Sequence, residues 1–166
     1  MLQLDKLAYE VEPDLLYGRP GPNKSNWSLA HLRQHGILVI ISLVDLDEQE
    51  LREVRRLGFT HYAFSIEDKI HRPYKTSNDD LMHTVTHILE IIDGHIRYSQ
   101  PVLVHCNSGK DRTGLVMGCY LMSRKGMSAK QALRALRRLK PDALTAKGFE
   151  QMLLVAKSWL ECRSPR

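Results

Sequence analysis

The chain has 166 residues, of which 43% are hydrophobic and 26% charged, with a net charge of +5. That balance suits a single domain over residues 1–166 with a real core, and it excludes collagen, coiled-coil arrays and a disordered polymer. The positive charge favours acidic partners, while an aromatic content of only 7%, with no aromatics interleaved in runs such as REVRRLG and RALRRLK, argues against a nucleic-acid binder.

The opening MLQLDKLAYEVEP carries early acids and no long apolar core, so it does not read as a signal peptide. Nothing approaches the roughly 18 apolar residues of a membrane span. A soluble, cytoplasmic protein without integral membrane association is expected, and nothing in the sequence bears on its oligomeric state. Cys106, Cys119 and Cys162 make an odd count without metal-ligand spacing, which argues against a disulfide framework and a structural zinc. Free thiols in a reducing compartment follow.

In chain order, LLYGRPGPNKS reads as a turn-rich entry because Gly18, Pro20, Gly21 and Pro22 punctuate it. A short helix is predicted over 26–35, capped by Gly36. ILVIISLV is a continuous apolar, β-branched run of the length expected for a doubly buried strand. DEQELREVRRLG opens with acids, closes with bases and stops at glycine, as a helix should. FTHYAFSI predicts another strand, which runs straight into the loop EDKIHRPYKTSND.

Over 77–98 the apolar residues Leu81, Val85, Ile88, Leu89, Ile92 and Ile96 recur at helical spacing. Asp79 and Asp80 suit the first turn of that helix. PVLVHC is the next buried strand, and LVMGCYLM, apolar all round, predicts a helix sunk in the core. SAKQALRALRRLK starts with Ser128 and Gln131 in capping-box register and ends before Pro141. A last helix is predicted around Phe149, Met152, Leu153, Ala156 and Leu160. The alternation implies an α/β fold with a mainly parallel central sheet flanked by helices on both faces, whose ligands bind at the carboxyl ends of the strands. Both EDKIHRP and CNSGKDRTG follow directly after predicted strands.

The second of these segments carries the chemistry. In VHCNSGKDRTG a loop leaves a buried strand and enters a helix, so the amides of Asn107, Ser108, Gly109, Lys110, Asp111 and Arg112 are candidates to cradle an anion at the positive end of the helix dipole. Gly109 and Gly114 permit backbone angles that let amides converge, and Arg112 adds a planar fork matched to two phosphate oxygens. A helix N-terminus with nearby cations brings a cysteine from about 8.5 to roughly 3.5–7.5, which implies a nucleophilic thiolate at Cys106. Thr113 follows Arg112, placed to donate a hydrogen bond to the sulfur when it must leave. Cys119, inside the apolar helix, reads as an inert buried thiol, and Cys162 is assigned no role.

HCNSGKDRTG resembles the signature loop of the cysteine-dependent protein tyrosine phosphatase superfamily: His-Cys, five residues, Arg, then Ser or Thr and often Gly. GRPGP followed by a helix, GILVIISL, a strand ending near an acid and a final pair of helices is similar to the small atypical dual-specificity phosphatases. The resemblance implies a protein tyrosine phosphatase-like fold and a thiophosphate intermediate on Cys106. It implies too that Arg112 binds the phosphoryl oxygens, that Thr113 assists breakdown, and that His105 sets the thiolate by hydrogen bonding without touching substrate. No cofactor and no metal are implied.

The family takes its leaving-group proton from an aspartate on a mobile loop after an earlier strand. Asp68 in SIEDKIHRP fits that position with Pro73 beyond it, although Ile66 and Glu67, rather than Trp-Pro or Pro, precede it. Glu67 is an alternative, and so is Asp111, since certain lipid phosphatases of the superfamily also place Asp before the Arg. His71 and His83 read as surface residues. Gln151 resembles in position the glutamine that orients water in classical tyrosine phosphatases, but its spacing departs and a solvated helix glutamine is expected.

Lys110 within the loop suits a substrate with more than one phosphate, and Lys69, Arg72 and Lys75 would extend such a basic pocket; the alternative is that Lys110 points to solvent. GKDRTG resembles bacterial tyrosine phosphatases and also members acting on phosphoinositides or inositol polyphosphates. No extra loop builds a deep pocket, so the expected substrate is protein phosphotyrosine in a shallow dual-specificity site, with a phosphoinositide or inositol phosphate second. A phosphate-binding module without turnover is the alternative from another class.

Overall fold

The computed structural model describes residues 4–74 and 77–161; Lys75 and Cys162 lie outside them. The chain divides into two compact units. One runs up to Ser65 and resumes over Ile92–Gly109, and the other holds Ile66–Ile91 and resumes at Lys110.

The first unit contains a five-stranded sheet. Strands β1 (Tyr9–Glu12), β2 (Leu16–Pro20), β3 (Val39–Ser42), β4 (Thr60–Ala63) and β5 (Val102–Cys106) lie in the order β1-β2-β5-β3-β4. β2 and β3 both pair parallel with β5, β4 pairs parallel with β3, and β1 is antiparallel to β2. The mainly parallel sheet of an α/β fold is therefore present, with β5 at its centre.

Between strands run α1 (Leu29–Gln34) and α2 (Glu48–Arg56), each capped by an oxygen of the preceding residue: Ser28 accepts from the His31 amide and Asp47 from the Glu50 amide. One face of the sheet presents Tyr17, Ile40 and Leu103 to Leu29 and Leu32 of α1 and Val54 of α2. The alternate residues Leu16, Val39, Ile41, Val102 and Val104 are buried as well, so both faces are dry.

The turn-rich reading of LLYGRPGPNKS is corrected here: 16–20 form a fully buried interior strand. Gly18 and Pro20 carry poor strand propensity, but packing overrides it. A Cβ on Gly18 would stand 2.3 Å from the Tyr9 ring, so only glycine lets β1 close on β2. Pro20, which cannot donate, is the last residue of the strand.

Helix α3 (Asp79–Ile96) buries Met82, Val85, Ile88, Leu89 and Ile92, with Asp79 and Asp80 in its first turn as expected. In the second unit, α4 (Arg112–Lys125) is buried continuously from Arg112 to Met122. Around it lie α5 (Ala129–Leu139), α6 (Phe149–Val155) and α7 (Lys157–Glu161). Ser128 and Gln131 form the expected capping box on α5. The predicted last helix is two: α6 ends at the cap Ala156 before α7 begins. Gly114 and Gly118 let Leu144 and Leu153 approach α4, where any Cβ would stand 3.2 Å and 2.8 Å from those side chains.

Candidate active site

β5 delivers Cys106, 1% exposed, to the carboxyl edge of the sheet. The end of β2 cradles the residues that follow. Pro20 is in register with Cys106, and the Gly21 amide donates to the Asn107 carbonyl at 2.9 Å. The Tyr9 hydroxyl donates to the Gly109 carbonyl at 2.7 Å. A Cβ on Gly21 would lie 2.3 Å from the Cys106 carbonyl oxygen, and one on Gly109, at φ 73°, would lie 2.7 Å from the Arg19 backbone. Arg19, 1% exposed, is held by Asp5 at 2.7 Å and by the carbonyls of Pro20, Ser25 and Asn26.

His105 is fully buried, and burial pulls its pKa down to about 4. Its Nδ1 lies 3.3 Å from the Cys106 carbonyl oxygen, which only accepts, so the single proton of the neutral ring belongs on Nδ1. Nε2 then accepts from the Ser42 hydroxyl at 2.6 Å, and Ser42 Oγ in turn accepts from His61 Nε2 at 2.8 Å. Trp27 meets the imidazole edge-on at 4.9 Å between centroids.

Beyond Gly109 the loop ties to a different partner. The Leu144 amide donates to the Lys110 carbonyl at 3.0 Å, from a residue at φ 59° that is otherwise disfavoured for leucine. Lys110 Nζ donates to Asp111 Oδ2 at 2.6 Å and to Thr145 Oγ1 at 3.1 Å, and Asp111 Oδ1 accepts from the Ala146 amide at 3.1 Å. Asp111 is thus a buried brace, and Lys110 serves it rather than pointing to solvent.

Arg112 opens α4. One terminal nitrogen donates to the Ile66 carbonyl at 3.2 Å, and Nε lies 3.5 Å from Asp68 Oδ1, within ion-pair reach but without a hydrogen bond. Among the described residues Thr113 Oγ1, also buried, likewise has no hydrogen-bond partner. Two buried donors at a helix N-terminus therefore face the cost of unmade hydrogen bonds, about 1–3 kcal/mol each, which an oxyanion would relieve.

Residues 22–158 match the family model of the dual specificity phosphatase catalytic domain. The chain belongs to that family. Among its relatives, the mouse dual specificity protein phosphatase CDC14B is 29% identical over 136 residues, covering 80% of this chain and 25% of that protein. The inositol diphosphatase SIW14 of Saccharomyces cerevisiae is 30% identical over 106 residues, covering 63% and 35%. The solved structure of Tk-PTP in its active form superposes with a TM-score of 0.71 at 22% identity, over 96% of this chain and 99% of that one. The chain spans about a quarter of the length of the mouse relative.

For this dual specificity phosphatase domain the three acids considered from the sequence have different surroundings. Asp68 stands on an open loop, its side chain 60% exposed, beside Arg112. Glu67 pairs with His71 at 2.9 Å, and that bond holds its carboxyl below the usual range. Asp111 has both oxygens occupied. Gln151 and His83 are exposed, as expected, and burial pushes the Cys119 thiol up to about 12. Among the described residues no cluster of three His, Cys, Asp or Glu is arranged to hold a metal ion, and no helix is long and apolar enough to cross a membrane.

Sequence reasoning missed Tyr9, Arg19, Ser42 and His61. The available signal was GRPGP: two glycines and two prolines around an arginine mark a backbone that must approach something closely, and that something is the cysteine loop.

Proposed function

We propose that this domain hydrolyses phosphate monoesters through Cys106, with both compact units acting as one phosphatase domain; the family match, which runs through both, supports this. The observation that carries the reading is that Arg112 Nε and Thr113 Oγ1, both buried at the start of the helix that follows the cysteine, have no hydrogen-bond partner among the described residues. The amides of 107–112 and the Arg112 fork hold the phosphoryl oxygens. The Cys106 thiolate attacks phosphorus, forming an S–P bond as the ester P–O bond breaks, and Asp68 transfers its proton to the leaving oxygen. Water then attacks phosphorus, losing a proton to Asp68, and the S–P bond breaks to return thiolate and free phosphate, with Thr113 donating to the departing sulfur.

The leading substrate class is protein phosphotyrosine, in keeping with the dual specificity family. A phosphorylated inositol is the second reading, supported by a relative that is an inositol diphosphatase. A reducing compartment such as the cytoplasm suits a free nucleophilic thiol. The test is turnover of p-nitrophenyl phosphate, a phosphotyrosine peptide and a phosphoinositide panel by the wild type and Cys106→Ser. Turnover lost with the cysteine is the expected result; a wild type inert on all three overturns the catalytic reading in favour of a phosphate-binding module.

A further inference from the structure

Two adjoining cavities in the second unit, of about 480 and 270 Å³, share Arg72, Tyr74, Ala146, Lys147 and Gly148 in their walls. The larger also reaches Asp68 and Lys69, and the smaller reaches Arg137 and Glu150. The acids in these walls are already matched: Asp68 lies beside Arg112, and Glu150 is 3.5 Å from Arg137. Among the described residues no carboxylate is within ion-pair reach of Arg72 or Lys147. The cleft therefore carries an uncompensated positive charge over a volume that fits a small ligand.

Its walls are built rather than incidental. Asn78, 3% exposed, pins the loop from both sides: its Oδ1 accepts from the His71 amide at 3.1 Å, and its Nδ2 donates to the carbonyls of His71 and Tyr74 at 2.9 and 3.0 Å. The Arg72 guanidinium lies 5.7 Å from the Tyr74 ring centre, with Nε donating to the Tyr74 hydroxyl at 3.2 Å. The side-chain entropy of holding a cation in place is thereby spent before any ligand arrives. Opposite, Gly148 sits at φ 92°, and a Cβ there would stand 2.8 Å from Ile70 Cβ, so the two walls meet at a point that admits only glycine.

We propose that Arg72 and Lys147 form a second anion subsite, which takes a phosphate other than the one hydrolysed, and that the ligand it fits is a small ring bearing several phosphates, a polyphosphorylated inositol, which deepens the second substrate reading above. This rests on Arg112 holding the scissile phosphate. The larger cavity begins at Asp68, whose carboxylate borders that guanidinium, so one compact scaffold with two phosphates spans both. Ile70, Tyr74 and Phe149 line part of the larger cavity, but the smaller is walled mainly by polar groups, with Arg72, Arg137 and Lys147 among them, which favours the small polyanion over a doubly phosphorylated peptide.

The test is calorimetric binding to the full chain carrying Cys106→Ser, so that the readout does not depend on turnover. Probes are inositol hexakisphosphate, vesicles containing phosphatidylinositol 4,5-bisphosphate, a doubly phosphorylated peptide, and inorganic phosphate as the single-anion reference. Relative to inorganic phosphate, Arg72→Gln and Lys147→Gln should each weaken the inositol probe about tenfold or more, with the exposed Lys130→Gln as the control for net charge. Dependence in the soluble arm, the vesicle arm or both supports the subsite and identifies the source of the ring. An unaltered ratio, an equal loss with Lys130→Gln, or dependence confined to the phosphopeptide overturns it. A wild type that turns over no monoester while this dependence persists removes the catalytic reading and leaves the subsite standing; turnover with no dependence does the reverse.

Discussion

The two halves of the cysteine loop are held in opposite ways. On the sheet side, His105, Ser42 and His61 form a closed hydrogen-bonded chain, Tyr9 caps the Gly109 carbonyl, and glycines at 21 and 109 let backbone press on backbone. On the helix side, Asp111 and Lys110 satisfy each other and the turn at 145–146, yet Arg112 Nε and Thr113 Oγ1 are buried without a hydrogen-bond partner among the described residues. A buried network whose donors are all matched holds a shape; buried donors left unmatched hold a place for a ligand. Cys106 follows the saturated network, and Arg112 and Thr113 belong to the unsaturated one.

Removing the proposed nucleophile is the largest break in that arrangement: Cys106→Ser should lower turnover by about 10⁴-fold or more on every monoester, while phosphate binding measured by calorimetry persists. Next is Asp68→Asn, which should slow a phosphotyrosine peptide by about 10²–10³-fold and p-nitrophenyl phosphate far less, because the latter's leaving group hardly needs a proton. Equal losses on both would remove Asp68 from the acid role.

The saturated side can be probed by pH. His105 has a folded pKa of about 4 against an ordinary 6.5, so the unfolded chain binds the extra proton first. The stability contributed by the neutral ring is present above about pH 6.5 and is lost as pH falls toward 4, by roughly 3 kcal/mol. Urea unfolding at pH 7.5 and pH 4 should show a steeper loss in the wild type than in His105→Gln; parallel losses would mean that the imidazole is protonated in the fold.

Asp111→Asn should lower kcat/KM about tenfold on peptide and aryl ester alike, as expected for a brace, whereas a loss confined to the peptide would make Asp111 the acid. Smallest is Tyr9→Phe, which deletes the bond to the Gly109 carbonyl and should cost about 1 kcal/mol in urea unfolding, with a modest fall in kcat.

Local signals carried much of this protein. HCNSGKDRTG is legible because its residues are contiguous: cysteine, glycine and arginine lie within one strand-loop-helix passage. The helices were legible from caps and apolar spacing, down to the capping box at Ser128 and Gln131. β2 was not, because the same glycine and proline that mark a turn also serve a strand that an aromatic ring must approach closely, and only the Tyr9 contact distinguishes the two. Ser42 and His61 gave no signal, since a serine and a histidine on neighbouring strands become partners only through register.

By itself the sequence determined the class of fold and the family, and it singled out the cysteine loop as the candidate site, since each rests on residues adjacent in the chain or on regular periodicity. Tertiary structure decided what each acid meets: Asp68 stands on an open loop beside Arg112, Glu67 is paired with His71, and Asp111 is locked between Lys110 and Ala146. Three carboxylates within a few residues of two motifs are equivalent as letters. They differ only in what the fold brings against them, and a carboxylate whose two oxygens already accept hydrogen bonds is poorly placed to carry a proton to a leaving group.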